Sequence, residues 1–283
     1  MSRGKIAFFT IILTYFLIVF GGYVASSESG MGCGPEWPLC NGEVIPDLQG
    51  DTLIEFGHRV IGALLFFLTI IIFVKVKKEN SSNLERTVAN WMLGLLILQL
   101  VMGAIVVFYH LPSIIITIHL LIAMIFLGIL IWFWRFNSGY VIRESNDNHQ
   151  IKKHINRIVI LLFITIGLGA YIKHQHYGLA CGWLECGAEA IPSTIPEILQ
   201  SIHRLLAILS TFYILFTTYK VFSIYNSRLK THMVLALVVI LIQLIIGVMT
   251  IVSLVSISFA VLHLAAATLL FAIVVDARTL IRD

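Results

Sequence analysis

Residues 55–78 read EFGHRVIGALLFFLTIIIFVKVKK, and residues 200–222 read QSIHRLLAILSTFYILFTTYKVF. Each opens on a polar cluster containing a His-Arg pair, runs on as an apolar stretch and meets lysine near its end. An α-helix needs about 20 mostly apolar residues to cross a bilayer. The two stretches are therefore read as crossings, at roughly 54–76 and 198–221. Comparable runs lie at about 5–24, 85–108, 114–136, 155–172, 231–252 and 257–280.

The composition agrees with eight crossings. Of 283 residues, 59% are hydrophobic and 12% charged, against about 25% charged in a soluble domain. Together with a mean hydropathy of +0.95, this excludes a soluble enzyme, a disordered chain and a nucleic-acid binder. The first run follows Arg3 and Lys5, as a signal peptide would, but it exceeds the usual 7–15-residue signal core. Gly21-Gly22-Tyr23 offers no cleavage site, so the run is kept as a helix.

Net charge is +4, and its placement reports topology. Of the 19 Lys and Arg, 16 fall on one side of the crossings, all but Arg59, Lys173 and Arg204. The positive-inside rule makes that side, with both termini, cytoplasmic. The cysteine-bearing loops 25–53 and 173–197 then face outward. The expected location is the cell membrane, as a multi-pass protein.

A duplication runs through the chain at an offset of 144–145 residues. His58-Arg59 matches His203-Arg204. LQLVMGAIVV (98–107) matches IQLIIGVMTI (242–251), aligning Gln99 with Gln243 and Gly103 with Gly247. Ile118-His119-Leu120 matches Leu262-His263-Leu264. Four helices per repeat give parallel halves, as in transporters built from parallel repeats. The expected fold is an all-α polytopic membrane protein, eight transmembrane helices in two pseudo-twofold-related four-helix bundles. The halves are 1–140 and 141–283.

His58, His119, His203 and His263 each lie within about two turns of the start of an even-numbered helix, about 5–12 Å below the outer boundary at 1.5 Å per residue. Coordinating side chains inside a membrane are costly and are functional candidates by default. A histidine pair on two helices of one bundle suits axial ligation of a heme iron. A lone histidine would more simply bond a neighbouring helix, but here both members of the pair are duplicated. Zinc would need further ligands close by. Arg59 and Arg204 either bind heme propionates or snorkel to lipid head groups.

Cys33/Cys40 in CGPEWPLC and Cys181/Cys186 in CGWLEC are local pairs in outer loops, where disulfides form. The second pair reads as a staple; for the first, staple and redox roles are both open. Glu55 precedes His58 by three residues and shares its helix face, whereas its repeat partner, Gln200, cannot ionise. An acid–base group thus stands in one half only, unless Glu55 merely serves the helix dipole. His110, His149, His154, His174, His176 and His232 fall in loops or near helix ends.

EFGHR opening the second helix, the single histidines of helices 4, 6 and 8, the doubled plan and the outer cysteine pairs resemble the cysteine-bearing bacterial heme A synthase family. The likeness covers nearly the whole chain. It implies a resident cofactor, heme b, held by His203 and His263, and a substrate, heme o, held by His58 and His119. It also implies that Glu55 is required and that Cys33/Cys40 takes part in turnover; for Cys181/Cys186 only a disulfide carries over. The implied reaction oxidises the C8 methyl group of heme o to a formyl group, an oxidoreductase activity serving cytochrome oxidase assembly. Heme O synthase, membrane lipid and an electron acceptor such as quinone are the implied partners. Two rival readings are a b-type cytochrome relaying electrons to or from quinone and a heme carrier without turnover.

Overall fold

The computed structural model describes residues 2–139, 146–186, 192–223 and 227–281. All eight expected crossings are present: α1 (Arg3–Ser26), α2 (Gly50–Lys78), α3 (Asn83–Phe108), α4 (Ser113–Ser138), α5 (Asn146–His174), α6 (Ile195–Phe222), α7 (Ser227–Val252) and α8 (Ile257–Leu280). Each is long and apolar enough to cross a membrane. The chain is a multi-pass membrane protein.

The helices overrun the apolar runs. α2 begins at Gly50, four residues before the run, and α5 at Asn146, nine residues before it. Hydropathy marks only the part bathed in hydrocarbon, whereas a helix satisfies its own backbone and continues into water wherever propensity allows. Local signals then set the ends. Ser82 caps α3 in a reciprocal capping box with Glu85, and Thr194 caps α6 in another with Glu197. Arg3 bonds Glu79 and Glu85, both at 2.9 Å, which ties the start of α1 to the α2–α3 turn.

Helix contacts divide the chain into two compact units, Met1–Ser138 and Gly139–Asp283. In the first, α1 packs on α2 and α4, and α3 packs on the same two; in the second, α5 packs on α6 and α8, as does α7. The helices that carry histidine are thus diagonal in each unit. Lipid offers no hydrophobic drive between helices, so close packing and polar contacts hold each unit together. The buried apolar cluster of the first unit includes Ala7, Leu65, Ile72, Met92, Leu96, Phe126 and Phe133. It fills the half remote from His58 and His119 along each helix. In the second unit Ile155, Ile158, Ile214, Met233 and Val274 are likewise buried away from His203 and His263.

The ends that carry the cysteine loops repeat in detail. A 3₁₀ turn follows α1 at Ser29–Met31 and α5 at Tyr177–Leu179, each entered through a left-handed residue, Glu28 (φ 60°) and His176 (φ 58°). The α3–α4 turn holds His110 and Leu111 at φ 58° and 62°, and the α7–α8 turn holds Leu254 and Val255 at 55° and 58°. Left-handed backbone is unfavourable for such residues and persists only where packing enforces it. Leu111 packs over Gly30 and Val255 over Gly178, where a Cβ would come within 3.2 Å of either side chain. α4 and α8 therefore each start from a turn docked on the 3₁₀ turn of their own unit.

Candidate functional site

His58 is the ninth residue of α2 and His203 the ninth of α6; His119 is the seventh of α4 and His263 the seventh of α8. Within each unit the two imidazoles are in electrostatic reach of each other. All four Nδ1 atoms are buried without a hydrogen-bond partner. Leaving such a group unmade costs about 1–3 kcal/mol, so four equivalent instances call for an explanation. No group of three or more His, Cys, Asp or Glu side chains able to hold a metal ion gathers among the described residues. The histidines come in diagonal pairs, a donor set that suits a macrocyclic metal centre, which needs only two axial ligands from the protein.

The glutamines between them differ. Gln99 Nε2 donates to the backbone carbonyl of His119 at 2.9 Å, whereas Gln243 Nε2 lies 3.3 Å from Nε2 of His263 itself. Phe20 adds an aromatic ring 5.9 Å from the His58 ring.

Glu55, 4% exposed, sits one turn before His58. Its Oε2 accepts the Cys33 backbone N–H at 2.7 Å, and its Oε1 accepts Arg59 Nη2 at 2.5 Å. Arg59 also donates through Nη1 to the Leu39 carbonyl at 2.8 Å. In the second unit Gln200 Oε1 accepts the Cys181 N–H at 2.7 Å, and its Nε2 donates to the Gly178 carbonyl at 2.8 Å. Arg204 donates to the Gly182 carbonyl at 2.5 Å. The frame is one; the ionisable atom differs. The helix dipole does not account for Glu55: the effect fades within the first turn, where the acidic residue is Asp51, bonded to Ser29 Oγ at 2.8 Å.

Both arginines bond the loops before their helices. Each clamps its cysteine loop, leaving further guanidinium donors beyond those the loop takes. Thr52 Oγ1 bonds the Gly32 carbonyl at 2.8 Å, and a Cβ on Gly32 would come within 2.3 Å of the Asp51 backbone, so this glycine lets the loop lie on the first turn of α2.

Both expected disulfides, Cys33–Cys40 and Cys181–Cys186, are formed. Both pairs are expected to resist thiol alkylation in intact cells until a reductant is added; labelling of all four without reductant would contradict this. The second closes a sequence separation of five, worth about 2 kcal/mol by loop-closure entropy. Cys181→Ala/Cys186→Ala should lower stability by about that amount and leave turnover of folded protein intact; lost turnover in stable protein would refute the staple role.

The remaining histidines stand apart. His154 Nδ1 meets the Tyr213 hydroxyl at 2.8 Å, and His232 Nε2 meets Asp276 Oδ2 at 2.9 Å. His110 and His176 lie in the left-handed turns; His149 and His174 lie on α5. Sequence reasoning missed the loop anchors Ser29, Asp51 and Thr52, and the role of the glycines. The Gly103/Gly247 match and the Gly-rich ends of the first and fifth helices were the available signals.

A family model described as cytochrome oxidase assembly protein, COX15-CtaA, matches residues 4–53 and 47–275. A protein named heme A synthase from Macrococcus caseolyticus is 27% identical over 281 residues, covering 94% of this chain and 92% of that one. One of the same name from an Exiguobacterium species is 30% identical over 254 residues, covering 84% and 81%. Another, from Bacillus licheniformis, is 26% identical over 274 residues, covering 93% and 91%.

Proposed function

The chain belongs to the COX15-CtaA family of cytochrome oxidase assembly proteins, and from that membership we propose that it is a heme A synthase, converting heme o to heme a. In this reading the first unit takes the substrate, with its iron between His58 and His119. In the second unit, His203 and His263 would hold heme b. The two diagonal histidine pairs, at equivalent helix positions in the two units, support such guests. The Lys and Arg distribution supports cytoplasmic termini and outward cysteine loops.

The observation that carries the assignment of roles is the Glu55/Gln200 pair. Two side chains of nearly equal shape take the same N–H from the same loop position, yet only Glu55 can exchange a proton. Turning a methyl group into a formyl group removes four electrons and adds one oxygen, so protons must leave the reacting carbon and its oxygen. Cys33 N–H and Arg59 hold the plane of the Glu55 carboxylate while a second lone pair on each oxygen stays able to receive a proton. Heme b, when bound, supplies a one-electron relay. His203 and His263 keep that relay in place, while Gln200 fixes the second loop without acid–base chemistry. Arg59 and Arg204 have donors beyond the loop clamp for propionates. The Cys33–Cys40 disulfide adjoins Glu55 through the Cys33 amide, which supports a part in turnover. Heme O synthase as supplier and quinone as acceptor complete the proposal.

The duplicated ligand pair would by itself also suit a b-type cytochrome or a heme carrier. Membranes containing the protein and supplied with heme o decide among the three by extraction of the pigments. Heme a or a hydroxylated intermediate is expected beside heme b. Heme b alone, in two equivalent sites, would favour the cytochrome; unaltered, exchangeable heme o would favour the carrier.

A further inference from the structure

Each of the four histidine rings rests against a glycine on the odd-numbered helix that precedes it. A Cβ built on Gly21 of α1 would lie 3.0 Å from Cε1 of His58, and one on Gly103 of α3 would lie 3.6 Å from Cε1 of His119. On Gly169 of α5 it would lie 2.7 Å from Cε1 of His203, and on Gly247 of α7, 3.1 Å from Cε1 of His263. We propose that Gly21, Gly169 and Gly247 are positioning residues that set the rotation and depth of the imidazoles they face, with Gly169 the tightest, while Gly103 stands at ordinary contact distance from His119. The inference rests on the reading of the four histidines as iron ligands.

Cε1 lies between the two ring nitrogens, so pressure there moves both the coordinating nitrogen and its opposite number. At Gly169 the added carbon would also meet Nδ1 at 3.2 Å and Nε2 at 3.4 Å. That ring faces the α5 backbone closely at three atoms. Carbon pairs favour 3.5–4.0 Å, so an alanine at 169 forces His203 to shift, one at 21 or 247 asks for a few tenths of an ångström, and one at 103 fits. Glycine is a poor helix residue, and helix glycines without this contact exist: at Gly62 and Gly94 a Cβ meets nothing. At Gly21, Gly169 and Gly247 a histidine ring stands closer than an added Cβ tolerates.

The test uses purified full-length protein loaded with ferric heme b, read by electron paramagnetic resonance and optical spectra. Gly169→Ala should convert at least half of the low-spin signal of its unit to high spin or shift its g values. Gly103→Ala and Gly62→Ala should match the wild type, and helix content should be unchanged in all three. If Gly169→Ala does not accumulate, Gly247→Ala reports on the same unit, with shifted g values expected. Wild-type spectra in Gly169→Ala, or in Gly247→Ala where that variant stands in, would overturn the positioning role. A wild-type protein with no bis-histidine signal would instead overturn the ligand assignment beneath it.

Discussion

Glu55→Gln stops conversion of heme o, or stalls it at a partly oxidised intermediate, while helix content and heme b binding persist. The expected loss of turnover is about 10²–10⁴-fold, the usual worth of a positioned acid–base group. The second unit contains the control for this substitution. There an amide already occupies the slot, accepting the Cys181 N–H at 2.7 Å and donating to the Gly178 carbonyl at 2.8 Å. A glutamine at 55 keeps an acceptor for the Cys33 N–H. What it loses is the charge opposite Arg59, whose other bond to Leu39 remains. The structural cost is about 1–3 kcal/mol, that of a partly buried polar group losing one partner. Heme composition of membranes supplied with heme o measures the outcome. Wild-type heme a levels would reduce Glu55 to a loop tether and move the quinone-linked cytochrome reading ahead.

His203→Ala and His263→Ala should each remove the low-spin heme b spectrum, because loss of one imidazole opens an axial position on the iron. The two variants are expected to behave alike, although the histidines sit on different helices, since α6 and α8 are diagonal and each supplies one side of the pair. Both are expected to fold, because the buried apolar residues of their unit, Ile214 and Val274 among them, lie farther along the same helices. An unchanged bis-histidine spectrum in both variants would sink the assignment of heme b to the second unit.

The helices, the repeat and the candidate side chains were legible in the sequence because each is a local property. A crossing is a count of apolar residues, a duplication is a match at constant offset, and a polar residue inside an apolar run stands out by its cost. The eight crossings, the two local disulfides and the Glu55/Gln200 difference could all be read in this way. Helix ends could not, since Gly50–Leu53 and the start of α5 are too polar to register as membrane.

What the tertiary structure decided is which groups face one another across long separations. Glu55 meets the Cys33 amide across 22 residues and Arg59 meets Leu39 across 20, so that arginine clamps the loop before its helix. The glycine behind each histidine belongs to another helix, 37 residues from its ring at Gly21 and 16 at Gly103. No periodicity encodes such contacts. They follow from how close two helix backbones can come, and that distance is set by the packing of the whole unit rather than by any one segment.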